Sequence, residues 1–297
     1  MIWLCGKDGM LAREFSRVLS NKKRDFIATG HEVDCASWKA VKDFFLSHKH
    51  NFENDAQLKK TNWIINCTGF TNVDACEVEK KRAIRENVTT VKNLARLSKK
   101  HKLRLLHFSS DYVFDGKKNS AYTENDKAHP INFYGKTKLQ SERVALKTNA
   151  IVIRTSALFG NDKSNFVSKI ISALQNQKCV RVVDDEFTKP TSAHSLAKVS
   201  LLCMETNLLR GVYHFAESPS ISRFCFANEI AHIAKDKNII EKNCKVLPCK
   251  KSDLQMLAFR PACAILSCEK IENALGIKIA SWRDELAIYN LQLIMNN

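Results

Sequence analysis

Short apolar runs recur along this chain, and each hands over to a helical pattern within a few residues: Met1 to Cys5, Asp25 to Ala28, Trp63 to Cys67, the run ending at Ser110, and Ala150 to Thr155. Strand followed by helix, repeated, predicts a parallel sheet covered by helices on both faces, because parallel neighbours need long crossovers. Counting a short strand that ends at Val33-Asp34, the pattern predicts at least six strands. A chain of 297 residues can bury such a domain and a smaller partner.

From about Asn161 the alternation loses its regularity. Helices are predicted from Asn165 to Gln175, Ala193 to Glu205, Phe224 to Ala234 and Arg283 to Met295, with strands at Val180 to Val183, Val212 to Phe215 and Lys245 to Pro248. The expected fold class is α/β, with a Rossmann-like doubly wound parallel sheet over residues 1–160. A smaller α+β substrate domain is expected over 161–297, some segments of which return to the first domain.

The first turn points to a cofactor. Strand Met1 to Cys5 runs into Gly6-Lys7-Asp8-Gly9-Met10-Leu11-Ala12, a Gly-x-x-Gly-x-x-Ala pattern that opens a helix. Glycines there let backbone N–H groups and the helix N-terminus approach a pyrophosphate. The next strand ends in Thr29-Gly30-His31, without the acid that holds a ribose 2′-hydroxyl, which leans toward NADPH or use of both nicotinamides. Asp34 is placed either against an adenine or as a cap for the Trp38 helix. Ser47 to Thr61 is polar and aperiodic and is expected to be a surface loop. Thr68, Gly69 and Thr71 follow the third strand, where small residues leave room for a dinucleotide. The helical pattern from Glu79 to Lys100 carries one odd polar residue, Asn87, which is read either as a satisfied group at the helix edge or as a residue with a role.

The segment Leu105 to Lys138 carries the chemistry. Tyr134 and Lys138 are four apart and share a helix face. An ammonium beside a phenol is expected to lower the tyrosine pKa from about 10 and make it a usable acid or base. Ser110, at the carboxyl end of the preceding strand, can hold the same substrate oxygen. Ser, Tyr and Lys together suit carbonyl reduction or its reverse.

Composition bounds the partners. The net charge of +16 is spread in lysine pairs and triplets without interleaved aromatics, which argues for solvated faces and small polyanions rather than nucleic acid. No apolar run reaches the ~18 residues of a membrane span. The start has no basic n-region, so no secretory signal is expected. Eleven cysteines without a Cys-x-x-Cys pair predict reduced thiols and a cytoplasmic setting, with no metal site.

Together the segments GKDGML, NCTGFTNVDACE, SSDYVFDG, PINFYGKTKLQSE, RTS at Arg154 to Ser156, VVDDEFTKPTSAHSLA, GVYHFA and RPACAILS span nearly the whole chain. In this order they make the chain resemble the dTDP-4-dehydrorhamnose reductase family of extended short-chain dehydrogenase/reductases. The resemblance implies NADPH, or NADH, reducing C4 of a dTDP-linked 4-keto-6-deoxyhexose in the last step toward dTDP-L-rhamnose. It implies Tyr134 as proton donor, Lys138 tuning it and holding the nicotinamide ribose, and Ser110 orienting the carbonyl. It places Gly6, Gly9, Met10 and Leu11 under the pyrophosphate, Asp34 near adenine, and Cys67, Thr68, Gly69 and Thr71 along the cofactor. Asp111 and Tyr112 would face the sugar. Arg260 would meet the diphosphate, with an ion pair to the Asp184-Asp185-Glu186 run as its structural alternative. A homodimer with magnesium at its interface occurs within the family, and no residue here is assigned to the ion. Two implications compete with the first. Ala157 stands where relatives often carry Trp, which leaves the sugar open, and one branch of the family is the non-catalytic regulatory β subunit of methionine adenosyltransferase.

Overall fold

A computed structural model of the chain describes residues 1–57, 61–206 and 210–288. The alternation builds β1 (Ile2–Cys5), α1 (Met10–Asn21), β2 (Phe26–Thr29), α2 (Trp38–Ser47), α3 (Lys49–Gln57), β3 (Trp63–Asn66), α4 (Val73–Val78) and α5 (Lys80–Ile84). A π-turn at Arg85–Thr89 leads into α6 (Thr90–His101), followed by β4 (Arg104–Ser110), α7 (Phe133–Ala145) and β5 (Ala150–Thr155). The second half adds β6 (Leu158–Phe159), α8 (Phe166–Asn176), β7 (Cys179–Val183), β8 (Phe187–Thr188), β9 (Thr191–Ser192), α9 (Ala193–Glu205) and β10 (Gly211–His214). It closes with β11 (Ile221–Ser222), α10 (Arg223–Asp236), β12 (Lys245–Cys249), α11 (Glu269–Leu275) and α12 (Trp282–Ile288).

Six strands form one all-parallel sheet in the order β10-β5-β4-β3-β1-β2. Each strand feeds both faces, as a sheet buried on two sides requires. Ile2 and Leu4 pack with Phe15, Leu19, Leu196 and Leu201 of α1 and α9, while Trp3 and Cys5 pack with Val41, Phe45, Val91 and Leu94 of α2 and α6. The same division repeats in β3, β4 and β5, so the apolar runs are the sheet's interior. A second cluster joins α8, β7, α10, β12 and α12 around Phe226 and Trp282, whose rings meet edge to face at 5.1 Å.

Four local expectations change. The polar stretch after Ser47 contains a helix, α3, because Phe52 is buried against Phe45 and its carbonyl accepts from the Asn62 side chain at 2.8 Å; residues 58–60 of that stretch lie outside the described ones. Val33-Asp34 is a turn rather than a strand end, and the cap of α2 is Ser37. The long helix expected from Glu79 to Lys100 is broken into α5, the π-turn and α6, which runs one residue further to His101. The strand at 211–214 pairs with β5 and forms an edge of the main sheet. Of the helix expected from Arg283 to Met295, residues 289–295 lie outside the described ones.

Candidate active site

The site lies at the carboxyl ends of β1, β3 and β4, where an open parallel sheet presents its crevice. Ser110 ends β4, a strand buried along its whole length, and its hydroxyl accepts the Tyr112 N–H at 3.2 Å. Directly across stands α7, capped by Asn132, whose side chain accepts the Gly135 N–H at 2.7 Å and donates to the Phe259 carbonyl at 2.8 Å. Gly135 sets the approach. A Cβ there would stand 2.0 Å from the Tyr112 carbonyl oxygen, so only glycine lets the first turn of α7 press on the exit of β4. That contact brings Tyr134 beside Ser110 and sets its ring edge-on to Tyr112, with centroids 5.8 Å apart.

The electrostatics differ from the sequence expectation. Burial drives the Tyr134 phenol well above its ordinary value, the Asp111 carboxylate adds to this, and the Ser110 hydroxyl beside it draws it partly back. Burial lowers Lys138 to about 8, with Glu142 working against that fall. Desolvation of both groups outweighs the attraction expected between them. The phenol therefore keeps its proton at neutral pH, which is the state a proton donor needs.

Two clefts flank this cluster. The first, about 370 Å³, is lined by Gly6, Gly9, Gly30, Asp34, Cys67, Thr68 and Gly69 among others. Gly6 has φ +88°, and a Cβ on it would lie 3.1 Å from the backbone of Cys67 and Thr68. The α1 N-terminus opens beside it with Gly9 as its cap, no capping side chain and no acid in the first turn. Its backbone N–H groups are thus available to an anion. Asp34 accepts the Ala36 N–H at 3.0 Å and pairs with Arg85. Arg82, paired with Glu79 and Glu86 and laid over the Phe70 ring, lines the same cleft.

The second cleft, about 590 Å³, is lined by Thr71, Asp74, Tyr112, Phe166, Lys169, Arg181, Glu186, Arg223, Met256 and Arg260, with others. Arg260 reaches Asp74 at the start of α4 through contacts of 2.6 and 3.2 Å. Its partner is therefore not the acidic run, whose members are engaged elsewhere: Asp184 with Lys250, Asp185 with the Lys251 N–H, and Glu186 with Arg223 at 2.5 Å. Burial opposes the charge on Arg223, and Glu186 restores it.

Several expected placements shift. Gly6, Asp8 and Gly9 of the glycine turn line the first cleft, whereas the Leu11 side chain, 9% exposed, belongs to the core and the Met10 side chain packs beside Gly160 and Asn165, so what these two offer an anion is their backbone N–H groups. Thr71 lines the second cleft. Asp111 is 6% exposed and points inward: Oδ1 accepts the Ser110 hydroxyl at 2.8 Å and Oδ2 accepts the Ser156 hydroxyl at 2.6 Å. Tyr112 and Arg260 line the second cleft together, Tyr134 stands beside Tyr112 and Ser110, and Lys138 lies one turn further along α7. Sequence reasoning missed Arg82, Arg85, Arg223 and Lys169, and took Glu186 only as part of a run that could pair with Arg260. The spacing of Arg82 and Arg85, three apart on one helical face, was the one available signal; Arg223 and Glu186 meet only through tertiary structure.

A parallel sheet with a glycine turn at its first crossover and a buried Ser, Tyr and Lys cluster defines a nicotinamide-dependent oxidoreductase of the short-chain dehydrogenase/reductase class. The family described as RmlD substrate binding domain matches residues 1–293. The chain is 33% identical over 292 residues to a dTDP-4-dehydrorhamnose reductase of Aggregatibacter actinomycetemcomitans, covering 95% of this chain and 96% of that one. The crystal structure of a dTDP-4-dehydrorhamnose reductase from Clostridium acetobutylicum superposes with a TM-score of 0.88 at 30% identity, covering 99% of each chain. That of the Bacillus anthracis reductase, solved with NADP, gives 0.85 at 25% identity over 98% of each. The chain belongs to the dTDP-4-dehydrorhamnose reductase family. No helix among the described residues is long and apolar enough to cross a membrane.

Proposed function

We propose that this protein reduces the C4 keto group of dTDP-4-dehydro-6-deoxy-L-mannose (dTDP-4-dehydro-L-rhamnose) with NADPH, giving dTDP-L-rhamnose. The observation that carries the proposal is the buried contact of Ser110 with Tyr134, one turn from Lys138, between a cleft suited to a dinucleotide and one lined by cations. The first cleft fits a nicotinamide dinucleotide by its glycine backbone and uncapped helix terminus. When bound, the cofactor supplies hydride to the carbonyl carbon.

In this reading Tyr134 gives its proton to the oxygen as negative charge develops there. The raised phenol pKa keeps that proton in place until the alkoxide, a stronger base, draws it off. Lys138, still largely cationic at neutral pH, steadies the phenolate left behind. Ser110 orients the carbonyl. Arg260, Arg223 and Lys169 supply positive charge to a nucleotide diphosphate in the second cleft. β2 ends in Thr29-Gly30-His31 without an acid, and Arg82 and Arg85 line that end of the first cleft, which favours NADPH over NADH.

The test offers dTDP-4-keto-6-deoxy sugars with NADPH or NADH, following loss of nicotinamide absorbance and identifying the product by NMR. Oxidation of NADPH with formation of dTDP-L-rhamnose is expected. Nicotinamide consumption with other 4-keto sugars alone would overturn the substrate, and none with any of them would overturn the enzymatic reading in favour of a cofactor-holding regulatory subunit.

A further inference from the structure

Asp111 does not face a substrate; it stands behind the serine that does. Its two carboxylate oxygens are taken by two hydroxyls, Ser110 at 2.8 Å and Ser156 at 2.6 Å, and Ser156 in turn contacts the Thr188 hydroxyl of β8 at 2.8 Å. All four residues are buried. The chain of bonds ties the end of β4 to the β8–β11 pair, on which Arg223 follows Ser222 directly.

A hydroxyl carries one proton. While Asp111 is ionised, the Ser110 proton is committed to it, and Ser110 can only accept from the cleft. A neutral Asp111 reverses the direction: its own proton goes to Ser110, and the Ser110 proton turns outward to a carbonyl oxygen. We propose that Asp111 is a positioning residue whose protonated form aims the Ser110 hydroxyl at the substrate carbonyl. The inference rests on the ketoreductase reading, in which Ser110 donates to that oxygen.

The surroundings place this switch within reach of ordinary pH. Burial raises the Asp111 carboxyl to about 6, Ser156 and Ser110 hold it down, Arg223 also lowers it, and Glu186 raises it. The other titratable groups of the cluster, Tyr112 and Tyr134, are both pushed upward by burial and stay neutral over this range.

Two measurements test it. The first needs no substrate: infrared difference spectra between the parent and Asp111→Asn should show a protonated-carboxyl band that disappears as pH rises through about 6. Its absence throughout that range overturns the proposal and leaves the ketoreductase reading intact. The second is kcat for reduction, expected to fall roughly tenfold per pH unit above that point in the parent. Below about pH 8, where Lys138 keeps its proton, Asp111→Asn, whose amide always donates, should give a flat profile with KM unchanged. Ser156→Ala removes a bond that favours the carboxylate and should move the limb to higher pH without altering its plateau. A limb near pH 6 that persists in Asp111→Asn, or one that Ser156→Ala leaves in place, overturns the assignment; a complete lack of turnover in the parent counts against the ketoreductase reading instead.

Discussion

The buried side-chain amide of Asn87 donates to the Thr137 hydroxyl at 2.9 Å, and Thr137 donates onward to the Tyr134 carbonyl at 2.7 Å. The same carboxamide grips Phe70 from both sides, accepting its N–H at 2.7 Å and donating to its carbonyl at 3.0 Å. A π-turn, often found at functional positions, aims Asn87 at this junction. It joins the loop after β3, at the floor of the cofactor cleft, to the turn of α7 that separates Tyr134 from Lys138. Asn87→Ala should therefore cost about 1–3 kcal/mol in urea unfolding, because the Phe70 groups and Thr137 lose their partner away from water. A drop in kcat should accompany it, since both Tyr134 and the cofactor floor lose a constraint.

Arg260 is held by Asp74 across the mouth of the second cleft, and that pair is only partly exposed. Burial opposes the guanidinium charge and Asp74 sustains it. Arg260→Ala should raise KM for the nucleotide sugar about tenfold to a hundredfold, the weight of one or two charged hydrogen bonds to phosphate. Steady-state kinetics should show kcat changed much less. Arg260→Lys should recover little, because a lysine cannot make the same two-pronged contact.

Lys138 is 5% exposed and held near 8, well below an unfolded lysine at about 10.4. A depressed lysine in the folded state opposes folding wherever the unfolded chain would hold the proton more tightly. That penalty is complete below about 8, fades as pH climbs toward the unfolded value, and amounts to roughly 3 kcal/mol. Lys138→Met should accordingly stabilise the protein at neutral pH and flatten the alkaline rise in stability, while abolishing reduction. Denaturant unfolding at neutral and alkaline pH reads both effects.

The parts legible in the sequence are those whose signal is local. Runs such as Trp63 to Ile65 are apolar throughout because the strand is buried on both faces, and the spacing of Tyr134 and Lys138 is fixed by the helix they share. Helix α3 was hidden because its sequence is mostly polar, while Phe52 is buried against Phe45. Asp111 was misplaced because its neighbours in the chain line the cleft, while the direction of its own side chain depends on Ser156, 45 positions away. The Arg260–Asp74 and Arg223–Glu186 pairs join segments far apart in the chain, and the direction of the Tyr134 shift depends on desolvation that only packing determines.

The central claim is that Tyr134 delivers the proton in a carbonyl reduction. Tyr134→Phe keeps the ring against Tyr112 and removes only the hydroxyl, so its fold and its affinity for NADPH should match the parent. Its kcat with the 4-keto sugar nucleotide should fall on the order of 10² to 10⁴. A phenylalanine variant that binds cofactor and turns over at the parental rate would contradict the account.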